Sequence, residues 1–134
     1  MTDLELVKAA IDIREKSYSP YSNFMVGAAL LGESGQVYLG ANIENAAYSP
    51  TICAERSAIS IAVSGGETNF KKIAIAGWPK GKTGFATPCG VCRQTLMEFG
   101  DPKTFEILVC HGGDKFEKYT LEELLPMGFG PGSL

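Results

Sequence analysis

Cys53-Ala54-Glu55 and Pro88-Cys89-Gly90-Val91-Cys92 are the residues of this chain whose types and spacing could do chemistry. Three thiolates hold a zinc ion and leave one tetrahedral position open. A carboxylate two residues from the first thiol can carry protons to and from whatever occupies that position. Metal, open position and proton carrier together describe a hydrolytic centre rather than a structural clip.

The helical periodicity begins at each cysteine cluster, so both clusters fall in the first turn of an expected helix. Free backbone N–H groups and the positive end of the helix dipole favour thiolate over thiol there. Cys89 and Cys92 lie three apart on one helical face and can reach a single ion, with Cys53 arriving from the other helix. Three thiolates on Zn²⁺ leave a net negative charge. Arg56, three residues after Cys53 on the same face, can offset it by donating to the sulfurs. A plain surface arginine is the bland reading. The competing reading of the cysteines is a closed zinc site with Cys110 or His111 as fourth ligand. Cys110 ends an apolar strand and His111 follows it, and neither has ligand-like spacing to the other three.

The elements that must position these groups read as follows. Leu4, Val7, Ala10 and Ile11 share a helical face in a segment from Leu4 to Lys16 that ends near Tyr18. Val26 to Leu31 and Gln36 to Gly40 form a hairpin around Gly32-Glu33-Ser34-Gly35. A loop runs from Asn42 to Ile52. Ala54, Ala58, Ile61 and Ala62 mark the next helix, stopped by Gly65-Gly66. Lys72 to Ala76 is a buried strand, and residues 77–87 read as loop. Cys89 to Phe99 is the third helix. Phe105 to Cys110 and Lys115 to Tyr119 pair around Gly112-Gly113-Asp114. Thr120 and Glu123 form a capping box for a short helix through Leu124. The tail from Pro126 to Leu134 has no regular pattern. The order predicts an α/β domain spanning residues 1–134, with a mixed sheet layered by helices.

The 134 residues carry a net charge of -3, which opposes an electrostatic grip on a nucleic-acid backbone. Lys71, Lys72, Lys80 and Lys82 read as a local solvated face. The start, Met1-Thr2-Asp3-Leu4-Glu5, lacks the basic and apolar pattern of a signal peptide, and no apolar run is long enough to span a bilayer. A cytoplasmic location is expected, where four cysteines stay reduced and Cys-x-x-Cys favours metal over a disulfide.

Cys53-Ala54-Glu55 followed by Pro88-Cys89-Gly90-Val91-Cys92 is the all-cysteine form of the zinc deaminase pattern. With Ser22-Asn23-Phe24-Met25-Val26-Gly27-Ala28-Ala29, Asn42-Ile43-Glu44-Asn45-Ala46, Cys89-Gly90-Val91-Cys92-Arg93-Gln94 and Leu124-Leu125-Pro126-Met127-Gly128-Phe129-Gly130-Pro131, nearly the whole chain resembles the small homotetrameric cytidine deaminases. The resemblance implies a three-layer fold with a mixed five-stranded sheet and helices on both faces. It implies one Zn²⁺ per chain on Cys53, Cys89 and Cys92, with Glu55 as proton shuttle. It assigns Asn42 and Glu44 to the ribose 3′-hydroxyl, Phe24 to the base pocket, Tyr48 to a subunit boundary near the sugar, and Phe129 to a neighbouring subunit's site. Backbone groups near Ala54 are candidates for the base edge. The implied reaction is hydrolytic deamination of cytidine and 2′-deoxycytidine. The nearest alternative is a deaminase of a cytosine nucleoside antibiotic such as blasticidin S. From another class, a non-enzymatic zinc module would need a fourth protein ligand.

Taken alone, several of these residues read more blandly. Asn42 and Asn45 suit a turn. Phe24, leading into a strand, reads first as core. Phe129, in an irregular Gly/Pro-rich tail, must bury somewhere, and a partner subunit offers a place.

Overall fold

A computed structural model describes all residues from Met1 to Leu134. The elements are α1 (Asp3–Arg14), β1 (Phe24–Gly32), β2 (Val37–Ala41), α2 (Ala54–Ser64), β3 (Phe70–Pro79), α3 (Gly90–Phe99), β4 (Glu106–Cys110), β5 (Phe116–Thr120) and α4 (Leu121–Leu124). The five strands form one mixed sheet in the order β2-β1-β3-β4-β5. β1 pairs antiparallel with both β2 and β3, β3 pairs parallel with β4, and β5 returns antiparallel. The α2 segment carries the chain across from β2 to β3, and α3 from β3 to β4.

Strand alternation divides the core into two layers. On one face Ala28, Leu30, Ile73, Ile75, Ile107 and Val109 pack with α2, α3 and Leu121 of α4. On the other, Ala29, Leu31, Ala74, Ala76, Leu108 and Cys110 pack with Leu6, Val7 and Ala10 of α1. Two glycines let the helices sit directly on the sheet. A Cβ at Gly27 would lie 2.2 Å from the Ala10 carbonyl oxygen of α1, and one at Gly40 would lie 2.5 Å from the Ala58 nitrogen of α2. The helices thus cover both faces, as the sequence implied.

Three local expectations are corrected. The first helix ends at Arg14, short of Tyr18, and its buried face is Leu6, Val7, Ala10 and Arg14, with Leu4 and Ile11 only half-buried. Arg14 is buried because its guanidinium donates to the carbonyls of Met25 (3.0 Å), Trp78 (2.7 Å) and Pro79 (3.1 Å) and lies over the Trp78 ring. Residues 77–79, expected in a loop, extend β3, because Phe24, Met25 and Val26 offer them a ladder; Pro79 sits at its last position, where a missing N–H costs least. The tail contains one 3₁₀ turn, Pro131–Ser133.

Lys72 is likewise no solvated lysine. It bridges Asp3 (2.7 Å) and Glu106 (3.0 Å), while Lys118 bridges the same two carboxylates at 2.7 and 3.5 Å. This closed ring of alternating charge ties the start of α1 to β3, β4 and β5. The capping box at Thr120 and Glu123 is formed as expected, and Thr2 with Glu5 makes a second one at α1. No helix is long and apolar enough to cross a membrane.

Candidate active site

Cys53 is the N-cap of α2 and Cys89 the N-cap of α3, both in extended backbone conformation. Cys92 follows in the first turn of α3. The two helix starts face each other. The Sγ atoms of Cys53 and Cys89 are 3.8 Å apart, those of Cys89 and Cys92 are 3.4 Å apart, and all three lie within 4.8 Å of one another. A tetrahedral ion with bonds of about 2.3 Å to sulfur separates its sulfurs by about 3.8 Å, so small side-chain shifts seat zinc in the cluster. Only these three cysteines form such a group. Cys110 points into the α1 layer on the opposite face of the sheet, and His111 is engaged with Glu117 at 2.6 Å and the Phe85 ring. Neither candidate for a fourth ligand in the competing reading joins the cluster, and no other His, Cys, Asp or Glu does.

Of the three sulfurs, Cys53 is the one held towards thiolate. A hydrogen bond from the Cys92 thiol, seconded by the Arg56 guanidinium, holds Cys53 down at about 5. The same contact, together with burial, pushes the Cys92 thiol up. Arg56 donates from Nη2 to Cys53 Sγ at 3.5 Å, the contact expected of it. Its Nε is buried with no hydrogen-bond partner, as is Ser57 Oγ beside it.

Glu55 is 4% exposed. Burial pushes its carboxyl up to about 7, opposed by its own backbone N–H and reinforced by the negative charge on Cys53. A carboxyl near neutrality can both accept and return a proton. It lines a cavity of about 200 Å³ with Phe24, Asn42, Cys53, Ala54 and Cys89, and Val26, Thr51, Ile52, Ile75, Ala86 and Thr87 complete the wall.

Asn42 is held against the start of β1. Its Oδ1 accepts from the Val26 N–H at 2.9 Å and from the Ser17 hydroxyl, and its Nδ2 donates to the Phe24 carbonyl at 2.9 Å. One Nδ2 proton remains for a ligand. Glu44 accepts from the N–H groups of Tyr21 (2.9 Å) and Ser22 (3.2 Å) and from the Ser22 hydroxyl, a bond that holds its pKa below the usual carboxylate range. Glu44 and Tyr48 line a second hollow that meets the first at Thr51. Tyr48 is exposed, with a left-handed φ of 63° in a turn stabilised by Asn45. Phe129 stands apart from both hollows, 60% exposed on the flank of α3.

Sequence reasoning missed Ser17 and Ser22, which orient Asn42 and Glu44, and the apolar wall. Ser22 lies within a string the resemblance already carried. Ile75 could have been placed by alternation along β3. Ala86 and Thr87 come from a loop whose path no local pattern announces.

Comparison with known proteins decides the family. Residues 1–108 match the model of the cytidine and deoxycytidylate deaminase zinc-binding region. The chain belongs to that family. It is 45% identical over 125 residues to the cytidine deaminase of Sporosarcina psychrophila, covering 93% of this chain and 89% of that one. It is 42% identical over 120 residues to a probable cytidine deaminase of Dictyostelium discoideum, covering 90% and 78%. A crystal structure of cytidine deaminase from Burkholderia pseudomallei superposes with a TM-score of 0.87 at 41% identity, covering 96% and 100%. The cytidine deaminase structure from Mycobacterium tuberculosis superposes at 0.78 with 32% identity, covering 97% and 99%. As a family member, this deaminase-like chain has the five-stranded α/β architecture of those structures and a cysteine cluster able to hold their family's zinc.

Proposed function

We propose that this protein hydrolyses cytidine, and 2′-deoxycytidine, to the corresponding uridine nucleoside and ammonia. The observation that carries the reading is the convergence of three sulfurs on one point beside the buried carboxyl of Glu55, in a cavity open to a small flat ring. Cys53, Cys89 and Cys92 would hold one zinc per chain. Bound there, zinc supplies a Lewis acid that lowers the pKa of water towards neutrality.

The remaining work falls to the chain's own groups. Glu55 takes a proton from the attacking water and passes it to N3 of the base; the C4–O bond forms. Glu55 then takes the remaining proton from the C4 hydroxyl and delivers it to the amino group; the C4–N bond breaks, the C4 carbonyl forms and ammonia leaves. Arg56 stabilises the thiolate of Cys53. Phe24 flanks the base, and backbone N–H groups of the first turn of α2, at Ala54, meet its polar edge. The free Nδ2 proton of Asn42 and the carboxylate of Glu44 receive the sugar hydroxyls in the hollow next to Tyr48.

Phe129 belongs, in this reading, to a neighbour's site within a homotetramer; its exposure, far from its own chain's cavity, supports that assignment. The 134 residues act as one domain in the cytoplasm, in keeping with four unpaired cysteines. Relatives of this identity bear the name cytidine deaminase, which favours ordinary nucleosides over blasticidin S.

The test is a zinc-loaded preparation assayed for ammonia release from cytidine, deoxycytidine, cytosine and blasticidin S, with metal stoichiometry measured alongside. One zinc per chain and turnover of both nucleosides are expected. Cytosine should be far poorer, because the sugar contacts go unused. Equal rates on cytosine and cytidine would remove Asn42 and Glu44 from the site, and no turnover of either nucleoside would end the reading.

A further inference from the structure

The motif Cys89-Gly90-Val91-Cys92-Arg93-Gln94 contains two residues that the proposed reaction does not use. Both hold the C-terminal segment. Arg93 donates from Nε to the Pro88 carbonyl at 2.7 Å and from Nη1 to the Leu124 carbonyl at 2.6 Å. One guanidinium therefore spans the residue before Cys89 and the end of α4. Gln94 donates from Nε2 to the Phe129 carbonyl at 2.8 Å. Between these two points Leu125 packs against the core, and just beyond Phe129 the buried Gly130 is seated on α3, where a Cβ would lie 2.9 Å from Met97 Cε. Phe129 itself is exposed and packs into no core cluster, so its backbone is fixed by the glutamine rather than by its ring.

We propose that Arg93 and Gln94 are positioning residues that clasp the C-terminal tail to α3 and thereby set where Phe129 is presented. The helix that supplies Cys89 and Cys92 thus also aims the aromatic ring, linking the metal loop of one chain to the base pocket that the ring serves. The inference rests on the reading of Phe129 given above.

The test uses the zinc-loaded, full-length protein in its native assembly, with Gln94→Ala, Arg93→Lys, Phe129→Ala and the double variant Gln94→Ala/Phe129→Ala. Gln94 is exposed, so its truncation leaves the core intact. Arg93→Lys keeps the charge, but a single nitrogen cannot serve two carbonyls in the way a fork does. Gln94→Ala should raise KM for cytidine roughly three- to tenfold, the effect of one lost hydrogen bond, with kcat within about twofold. Its zinc content should not change. Deuterium exchange of residues 126–134 should quicken. In the Phe129→Ala background the same change should add nothing. Arg93→Lys should raise KM and also speed zinc loss to a chelator, because the Pro88 carbonyl precedes Cys89.

An unchanged KM in Gln94→Ala overturns the proposal, whether or not exchange quickens, since the contact is then a structural anchor only. A full additional effect on top of Phe129→Ala overturns it as well. Phe129→Ala with normal KM ends the reading of Phe129 and the clasp with it. Phe129→Ala with raised KM beside a silent Gln94→Ala ends only the clasp.

Discussion

Two placements set the behaviour of single residues here: Glu55 is buried beside the cysteine cluster, and Cys110 faces the other side of the sheet. Glu55→Gln should therefore keep zinc and bind cytidine, while kcat falls by more than the roughly 10²–10⁴-fold of one proton transfer, because one group serves several. A variant retaining a tenth of normal turnover would mean that another group moves the protons. Cys110→Ala and His111→Ala should keep one zinc per chain, read by metal analysis. The cysteines and Glu55 were legible in the sequence because their chemistry depends on type and short spacing, which the chain states directly. Arg14 and Lys72 were not. Each looks like an exposed cation until the partners that satisfy it, the carbonyls of Met25, Trp78 and Pro79 or the carboxylates of Asp3 and Glu106, are brought close by the fold.

Among the elements, α2 matters most, since it carries Cys53, Glu55 and Arg56 and rests on β2 at Gly40. A methyl group at Gly40 would meet backbone atoms of Ala58 and Ala54 at 2.5 and 2.6 Å, which cannot yield without moving the helix. Gly40→Ala should cost about 1–3 kcal/mol in denaturant unfolding. It should also weaken zinc retention in chelator competition, because the helix start that presents Cys53 shifts with it. Normal stability with normal retention would mean that the helix does not transmit the displacement. Local sequence pattern announced the three long helices and most strands. It did not announce the extension of β3 through Pro79, which depends on the facing residues Phe24 to Val26 rather than on any pattern within 77–79.

For the whole molecule, the Asp3–Lys72–Glu106–Lys118 ring predicts a pH dependence. Hydrogen bonds from Lys118 and then Lys72 hold Asp3 below its ordinary value of 3.8. A depressed folded-state pKa stabilises the protein above the unfolded value, and that stabilisation is lost as pH falls below about 3.8. Asp3→Asn should remove up to about 1 kcal/mol at neutral pH and flatten the acid limb of the stability curve. Assembly offers a second test. Mixing Glu55→Gln chains with Phe129→Ala chains under subunit exchange should regenerate some intact sites and restore activity. No recovery despite proven exchange would show that each site is complete within one chain. The topology also has a kinetic consequence. Cys53 opens the connection from β2 to β3, and Cys89 with Cys92 opens the one from β3 to β4. The three sulfurs come from segments on either side of β3 in the chain, so they are expected to meet only once β3 has taken its place between β1 and β4. One equivalent of zinc should thus leave the refolding arm of a chevron plot nearly unmoved and lower the unfolding arm, so the metal acts as a brake on opening rather than a seed for folding.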